Sequence, residues 1–298
     1  MTGVTTHGPL QPGDQVQLTD PKGRKHLVTL AEGQEFHTHR GRLAHDDLIG
    51  QPDGSVVHSS GGTPYVALRP LLADFTLAMG RGAAVVYPKD AAQIIAFADM
   101  FPGARVLEAG AGSGALSCWL LRSVGEKGFV ASYERRADFA DIARRNVERF
   151  FGGPHPAWQL TVADLAEAAG VGEVFDRVVL DMLAPWEYAD LAARLLEPGG
   201  LVCSYVATTT QLSRITEALR GQGSFDEPSA WESLVRGWHV DGLAVRPEHR
   251  MIGHTGFVVT ARRLADGVTP PPRRRRPAKG TDGAEGADKP GEPDESGT

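Results

Sequence analysis

The chain has 298 residues with a formal net charge of −6, and 41% of them are hydrophobic. This length and composition allow one large domain plus a small one, and no run of about 18 or more apolar residues is present that could span a membrane. The net negative charge argues against a protein that coats nucleic acid over its whole surface, although it is compatible with a local basic face. The first residues lack the basic-then-apolar order of a secretion signal, so we expect a cytoplasmic protein.

The cysteine and histidine positions give no indication of a metal site. Cys118 and Cys203 lie far apart in apolar runs, which favours two reduced, buried thiols over a disulfide or a zinc site. The histidines show no ligand spacing within a defined helix. We therefore predict that the protein binds no metal.

The first part of the chain, residues 1–68, contains short strand-like runs separated by turn residues. Residues 14–18, 25–30 and 56–57 are such runs, and Asp20-Pro21-Lys22-Gly23 and Pro52-Asp53-Gly54-Ser55 are the turns between them. This pattern predicts a small antiparallel β-domain. Residues 69–104 then form a linker, in which Asp90 is the predicted N-cap of a helix over residues 91–100.

The third region, residues 105–265, begins with a strand, a glycine-rich turn and a helix. The strand is Arg105 to Ala109, and the predicted cofactor-binding turn comprises Gly110, Gly112, Ser113, Gly114, Ala115 and Leu116. Such a turn lets the backbone approach a ligand at a helix N-terminus, where N–H groups are free. By itself the pattern also fits the dinucleotide-binding turn of a nicotinamide dehydrogenase.

Two acids favour S-adenosylmethionine over a dinucleotide. Glu134 ends the second strand, residues 129–133, where a carboxylate can accept both ribose hydroxyls of an adenosine. Glu108 ends the first strand, directly before the glycines. A carboxylate there would repel a pyrophosphate, whereas it tolerates the ammonium and sulfonium of S-adenosylmethionine.

Acids also follow the third and fourth strands. Asp164 comes after residues 158–162, where it can bond the adenine amino group, and Asp181 ends the strand at residues 175–180. Four acids thus stand at four successive strand ends, the edge at which open parallel sheets bind ligands. An amphipathic helix is predicted over residues 136–151, between the second and third strands, and Phe139 in its first turn is placed to line the cofactor pocket.

The rest of the region completes a methyltransferase sheet. A helix is predicted around residues 188–195, a fifth strand at Leu201 to Tyr205 and a helix at residues 209–219. Residues 231–245 and 256–263 then suit a closing antiparallel pair. The predicted fold is α/β: a Rossmann-like class I methyltransferase with a seven-stranded, mostly parallel sheet and a terminal antiparallel pair, plus the small N-terminal β-domain.

Several segments resemble the TrmI family of tRNA (adenine-58-N1)-methyltransferases, actinobacterial type. They are Glu108-Ala-Gly-Ala-Gly-Ser-Gly-Ala-Leu116, Ser132-Tyr-Glu-Arg135, Asp181-Met-Leu-Ala-Pro-Trp186, Tyr205-Val-Ala-Thr-Thr-Thr-Gln-Leu212 and Tyr87-Pro-Lys-Asp90. The resemblance covers about residues 8–264. The glycine motif is shared by the whole superfamily, whereas the segments that begin at Asp181 and Tyr87 are much more specific.

This resemblance implies a homotetramer that methylates N1 of the T-loop adenine of tRNA. It places cofactor contacts on Ser113 to Leu116, Glu134, Phe139, Asp164 and Asp181, and it brings Asp181 to the target base as well. N1 of adenine carries a lone pair and no proton, so attack on the methyl group requires no general base. We expect Asp181 to accept a hydrogen bond from the exocyclic amine and to stabilise the positive charge that develops on the ring.

The remaining predictions concern the substrate and the end of the chain. Tyr87 and Tyr205 are candidate walls of the base pocket, and Arg40, Arg42, Arg246 and Arg250 are candidate phosphate contacts. Residues 266–298 lack Leu, Ile and Phe and are predicted to be disordered, with Arg273 to Arg276 as a further candidate polyanion contact. The alternatives are a methyltransferase acting on a small molecule or a protein carboxylate, a non-catalytic tRNA-binding subunit, and the dehydrogenase.

Overall fold

The computed structural model describes residues 7–170 and 172–271, so the predictions for Arg273 to Arg276 and for most of the charged tail lie outside the described residues. Its first part is an antiparallel sheet in the order β2-β1-β6-β5 beside a separate hairpin of β3 and β4. The strands are β1 (Gln15–Thr19), β2 (Lys25–Thr29), β3 (Glu35–Thr38), β4 (Gly41–Ala44), β5 (Ser55–His58) and β6 (Pro64–Leu68). This region encloses its own core of Leu10, Val16, Leu18, Leu43, Leu48 and Tyr65. The predicted N-terminal antiparallel region is confirmed.

Two helices follow, α1 (Leu72–Ala78) and α2 (Pro88–Phe97). The prediction that Asp90 caps the second helix is wrong, because α2 begins at Pro88 and its N-cap residue is Tyr87, with no side-chain cap. Proline is favoured in the first helical turn since its missing N–H would have no helical partner there. Asp90 is therefore inside the helix, and its carboxylate is buried.

The large sheet has seven strands in the order β12-β15-β11-β10-β7-β8-β9. They are β7 (Arg105–Ala109), β8 (Phe129–Glu134), β9 (Trp158–Val162), β10 (Phe175–Asp181), β11 (Leu196–Val206), β12 (Ser229–Trp231) and β15 (Phe257–Arg262). Strands β7 to β11 pair in parallel, whereas β15 pairs antiparallel to both β11 and β12. The predicted seven-stranded, mostly parallel sheet is confirmed.

Helices cover both faces of this sheet because its strands alternate between two cores. The helices of this region are α3 (Ala115–Val124), α4 (Ala137–Phe151), α5 (Ala189–Leu195) and α6 (Thr209–Gln222). Along β7, Val106 belongs to a core shared with α1, α2 and α3, while Leu107 belongs to a core shared with α5 and α6. Strands buried on both faces are typical of parallel sheets between helical layers. Cys118 and Cys203 are free thiols buried in the first of these cores.

The predicted closing strand at residues 231–245 is wrong in most of its length. Only β12, which ends at Trp231, joins the sheet, while β13 (Trp238–Asp241) and β14 (Ala244–Pro247) form a separate, largely exposed hairpin. Asp241 pairs with Ala244, so Gly242 and Leu243 form a two-residue turn. Gly242 has a φ of +53°, a conformation that glycine adopts at little cost. This turn reverses the chain inside the run that the sequence indicated as one strand.

The described residues hold neither a metal-binding cluster nor a membrane-spanning helix. Residues 7–170 and 172–271 contain no group of three or more His, Cys, Asp or Glu side chains placed to hold a metal ion. None of the helices described above is both long enough and apolar enough to cross a membrane.

Candidate active site

The glycine turn lies at the carboxyl end of β7, in the middle of the sheet. Gly110, Gly112 and Gly114 have φ values of +83°, +53° and +78°, in the left-handed region that disfavours other residues. A Cβ on Gly110 would overlap the backbone carbonyl oxygen of Asp181, so the end of β10 packs directly against the turn. The first N–H groups of α3, which begins at Ala115, have no helical partner and face this edge of the sheet.

Glu134 holds the glycine turn in place. Its Oε2 accepts from the Gly112 N–H at 2.9 Å, and its Oε1 accepts from the Arg136 N–H at 2.9 Å. A carboxylate has about four acceptor sites, so two remain for ribose hydroxyls. The position of Glu134 at a strand end predicted a ligand contact, whereas its bond to the turn was not predicted from the sequence.

Glu108 is completely buried beneath the turn. The hydroxyl groups of Ser117 and Ser132 both donate to its Oε2, at 2.7 and 2.5 Å. Its Oε1 has no hydrogen-bond partner among the described residues. Burial, with a further contribution from Glu134, raises the pKa of Glu108 to about 7. A buried carboxylate oxygen without a partner costs free energy, which a cationic ligand group would recover.

Asp181 completes a cluster of three acids at the centre of the sheet edge. It ends β10 and is partly buried. Burial, followed by repulsion from Glu108 and Glu134, raises the pKa of Asp181 to about 7. Mutual repulsion of this kind is relieved by a cation and worsened by a pyrophosphate. This cluster of three acids therefore fits a ligand that carries an ammonium and a sulfonium.

Phe139 and Asp164 both lie between Glu134 and Asp181 in the sequence. Asp164 accepts from the Ala166 N–H and from the Tyr188 hydroxyl, both at 2.9 Å. The Ala166 N–H is the main reason why the pKa of Asp164 is lowered, so this carboxylate stays ionised at neutral pH. The ring of Phe139 lies against Gly82, and the Arg136 guanidinium lies over it at 3.8 Å from its centroid.

The side chains of Ser113, Ala115 and Leu116 support the turn from behind. The Ser113 hydroxyl accepts from the N–H groups of Gly82 and Ala83, at 3.1 and 3.3 Å. Ala115 and Leu116 are buried in the core. The resemblance implies ligand contacts for these residues, and their backbone N–H groups are the parts of them that are free to make such contacts.

Of the two predicted base-pocket tyrosines, Tyr205 lies beside Asp181 in the fold. Tyr205 pairs with Asp181 in the β10–β11 register, so the two side chains emerge side by side on one face of the sheet. The Tyr205 hydroxyl donates to Oδ2 of Asp90 at 3.1 Å, and burial raises the pKa of Tyr205. Tyr87 is the N-cap residue of α2, three positions before Asp90.

The four predicted phosphate contacts lie on two different hairpins, neither of which belongs to the large sheet. Arg40 is in the β3–β4 turn and Arg42 is in β4, where its guanidinium lies 3.4 Å from the Glu35 carboxylate. Arg246 is in β14, and Arg250 follows that strand. All four side chains are exposed. The four side chains thus belong to two different segments of the chain, one at β3–β4 and one at and after β14.

Gln211 is a supporting residue that our sequence reasoning missed. It forms a capping box with Thr208 at the start of α6, and its Nε2 donates to the Leu183 carbonyl at 2.9 Å. Gln211 therefore fixes the loop that follows Asp181. The spacing of Thr208 and Gln211 is the sequence signature of a capping box and could have revealed it.

The sheet order, the glycine turn and the acid cluster together define a Rossmann-like S-adenosylmethionine-dependent methyltransferase. Two family models match the chain, TrmI-like N-terminal over residues 8–57 and tRNA methyltransferase complex GCD14 subunit over residues 65–245. The chain is also 38% identical over 249 residues to the tRNA (adenine(58)-N(1))-methyltransferase TrmI of Thermus thermophilus, covering 83% of this chain and 95% of that protein. The chain therefore belongs to the TrmI family of tRNA methyltransferases.

Two solved structures share this architecture over nearly the whole chain. A protein described as an S-adenosylmethionine-dependent O-methyltransferase from Thermotoga maritima has a TM-score of 0.81 and 31% identity, covering 90% of this chain and 96% of that one. The tRNA (m1A58) methyltransferase TrmI from Aquifex aeolicus has a TM-score of 0.74 and 26% identity, covering 87% and 100%. Family membership excludes the dehydrogenase alternative.

Proposed function

We propose that this protein transfers the methyl group of S-adenosylmethionine to N1 of adenine 58 in the T-loop of tRNA. The observation that carries the proposal is the position of Asp181. Asp181 ends β10, which lies between β7 with its glycine turn and β11 with Tyr205, so its side chain can face both the cofactor and a base. Membership in a tRNA methyltransferase family supports the substrate class.

Each part of the site has a role in binding the cofactor, which supplies the electrophilic methyl group when bound. Glu108 would pair with the methionine ammonium through its unpartnered Oε1. Glu134 would accept the ribose hydroxyls with its remaining lone pairs, and Asp164 would accept from the adenine amino group. Gly110, Gly112 and Gly114 adopt the left-handed backbone conformations of the turn that ends where α3 begins, and the free N–H groups of α3 would face the cofactor.

Asp181 performs the electrostatic part of the reaction on the substrate. N1 of adenine attacks through its lone pair, and the adenine ring becomes positively charged as the new bond forms. A carboxylate that accepts from the exocyclic amine orients N1 and stabilises that charge. Burial, followed by repulsion from Glu108 and Glu134, raises the pKa of Asp181 in the free protein, and the nearby cationic cofactor favours its ionised form.

The substrate adenine must leave the tRNA stack to reach this site. Tyr87 and Tyr205 would wall the pocket that receives it, because Tyr205 stands beside Asp181. Arg40, Arg42, Arg246 and Arg250 are exposed, and we propose that they contact tRNA phosphates. Such contacts would make tRNA affinity decrease with increasing salt concentration.

Mass mapping of nuclease-digested tRNA tests the proposal directly. Unmodified tRNA is incubated with the protein and S-adenosylmethionine, and we expect one added methyl group at N1 of adenine 58. The Thermotoga relative is described as an O-methyltransferase, so labelled methyl transfer to protein and to small-molecule hydroxyl groups is measured in parallel. Methylation of these substrates with none on tRNA would contradict the proposal.

We further propose a cytoplasmic homotetramer. The β13–β14 hairpin is attached outside the large sheet and exposes Trp238, Val240, Leu243 and Val245. An exposed apolar hairpin of this kind typically packs against another protein surface, and a second copy of the chain satisfies this in a symmetric oligomer. Sedimentation equilibrium is expected to give four times the chain mass, and a monomer would contradict the proposal.

A further inference from the structure

The Tyr87-Pro-Lys-Asp90 motif contains a buried carboxylate that has no part in the cofactor site. Only 1% of the Asp90 side chain is exposed. Its Oδ1 accepts from Lys89 Nζ at 2.7 Å and from the Ser233 hydroxyl at 3.1 Å. Its Oδ2 accepts from the Tyr205 hydroxyl at 3.1 Å and from Thr255 Oγ1 at 2.5 Å. All four acceptor positions of the carboxylate are occupied.

Lys89 is equally saturated. Besides Asp90, its ammonium donates to the Ser233 carbonyl at 2.8 Å and to Thr255 Oγ1 at 2.5 Å. An ammonium group has three donors, and all three are used. Asp90 and Lys89 therefore have no free acceptor or donor for a ligand, and we infer that they hold the other members of the network in place.

The member with access to the active site is Tyr205. It is the register partner of Asp181 on the neighbouring strand. Gly256 confines the other side of its ring, because a Cβ on Gly256 would lie 2.6 Å from Tyr205 Cε2 and 2.7 Å from its hydroxyl. The ring is thus fixed between the Asp90 carboxylate and the Gly256 backbone.

We propose that Asp90 is a positioning residue for methyl transfer, which fixes the Tyr205 ring as the wall that orients the target adenine next to Asp181. The inference rests on the proposed function, since it assigns Tyr205 to the base. A fully satisfied buried network specifies one side-chain position more strictly than apolar packing does. Since misplacement of reacting groups by about 1 Å can cost roughly a hundredfold in rate, such a restraint matters for the chemical step.

The test uses Asp90→Asn, Tyr205→Phe and the double variant. Tyr205→Phe keeps the ring and removes its hydroxyl. We expect each single variant to lower the single-turnover rate of tRNA methylation about tenfold to hundredfold at saturating cofactor and tRNA. The double variant should lose no more than Asp90→Asn alone, because both changes break the same interaction. The affinities for S-adenosylmethionine and tRNA should stay within about twofold of wild type, since the cofactor lies on other residues and phosphate contacts dominate tRNA binding.

Ser233→Ala is the matched control. It removes one donor from Oδ1 and leaves both donors on Oδ2, so its loss of rate should be smaller than that of Asp90→Asn. An equal loss would show that the network has a general structural role and would overturn the inference. Wild-type rates in Asp90→Asn and Tyr205→Phe, or losses that add in the double variant, would also overturn it.

Gly256→Ala covers the case in which Asp90→Asn does not fold. The backbone at Gly256 lies outside the left-handed region, and the three atoms nearest to the added Cβ would all belong to the end of the Tyr205 side chain, which it would displace. We expect a similar loss of single-turnover rate with cofactor affinity unchanged, and a wild-type rate would contradict the inference. The unaltered protein is assayed before any variant. If it forms no N1-methyladenosine in tRNA, the proposed function and this inference are refuted together.

Discussion

The two sides of Asp181 differ in how their polar groups are satisfied. On the cofactor side, Glu108 keeps one buried oxygen unpartnered, and the carboxyl groups of Glu108 and Asp181 have pKa values raised to about 7. On the base side, Asp90 and Lys89 use every acceptor and donor within the chain. The cofactor side is completed by a ligand, whereas the base side is complete without one.

This difference indicates that the two sides of the site contribute in different ways, one to ligand affinity and the other to a preformed shape. An acid cluster with unsatisfied charge gains affinity from a cationic cofactor, since binding relieves repulsion that the free protein carries. A closed network gains nothing from a ligand, but it fixes the shape of the pocket before the substrate arrives. The predictions below test the two sides separately.

The largest effect is expected for Asp181→Asn, the residue between the two sides. Asparagine keeps the shape and an acceptor oxygen but removes the negative charge. Loss of a preorganised electrostatic group costs on the order of 10²–10³ in rate, about 3–4 kcal/mol. We expect a decrease of this size in single-turnover methylation, with a smaller change in cofactor affinity. A wild-type rate would leave Asp181 as a binding residue only.

A smaller effect is expected for Glu134, which belongs to the cofactor side alone. Glu134→Ala should weaken S-adenosylmethionine binding by about 1–3 kcal/mol, because two charge-assisted hydrogen bonds to the ribose are lost. Glu134 also holds the Gly112 N–H, so Glu134→Gln, which retains one acceptor oxygen for the turn, serves as the matched variant. Calorimetry should give an intermediate affinity for Gln. Unchanged affinity in both variants would contradict the assignment to ribose.

A third expected effect is a pH dependence of stability in the cofactor-free protein. Unfolded carboxyl groups titrate near pH 4, whereas those of Glu108 and Asp181 titrate near 7 in the fold. The folded state therefore holds more protons between these values, and the free energy of unfolding decreases as pH rises through this window, by at most about 1.4 kcal/mol per pH unit for each group. Urea unfolding at pH 5.5 and 7.5 measures this, and Asp181→Asn should show a shallower decrease. An identical pH dependence in wild type and variant would contradict the raised pKa of Asp181.

The sequence was sufficient for features that depend on neighbouring residues. The strand–glycine turn–helix unit and the acids at Glu108, Glu134 and Asp181 follow from local periodicity and strand ends, and the structure places all three acids at one edge of the sheet. Asp90 was misassigned as an N-cap although Pro88 marks the first turn of α2, and its actual partners Tyr205, Ser233 and Thr255 are 115, 143 and 165 residues away. No local pattern can reveal such contacts.

The β13–β14 hairpin was missed for a different reason. Its residues alternate like a long strand, and one two-residue turn at Gly242 and Leu243 decides whether the run extends or folds back. A glycine-containing turn between alternating residues is a hairpin signal. The run could therefore have been divided from the sequence, whereas the exposure of its apolar side chains could not have been foreseen.

Proton release on cofactor binding is the most direct test of whether a cationic ligand completes the acid cluster of Glu108, Glu134 and Asp181. Titration calorimetry of S-adenosylmethionine is carried out at about pH 6.5, where its α-amino group is charged, in two buffers with different ionisation enthalpies. If a cationic ligand completes the acid cluster, binding lowers the raised pKa values of Glu108 and Asp181 and releases protons into the buffer. We expect a net release of protons that becomes smaller in Asp181→Asn. No net proton exchange, or proton uptake, would contradict it.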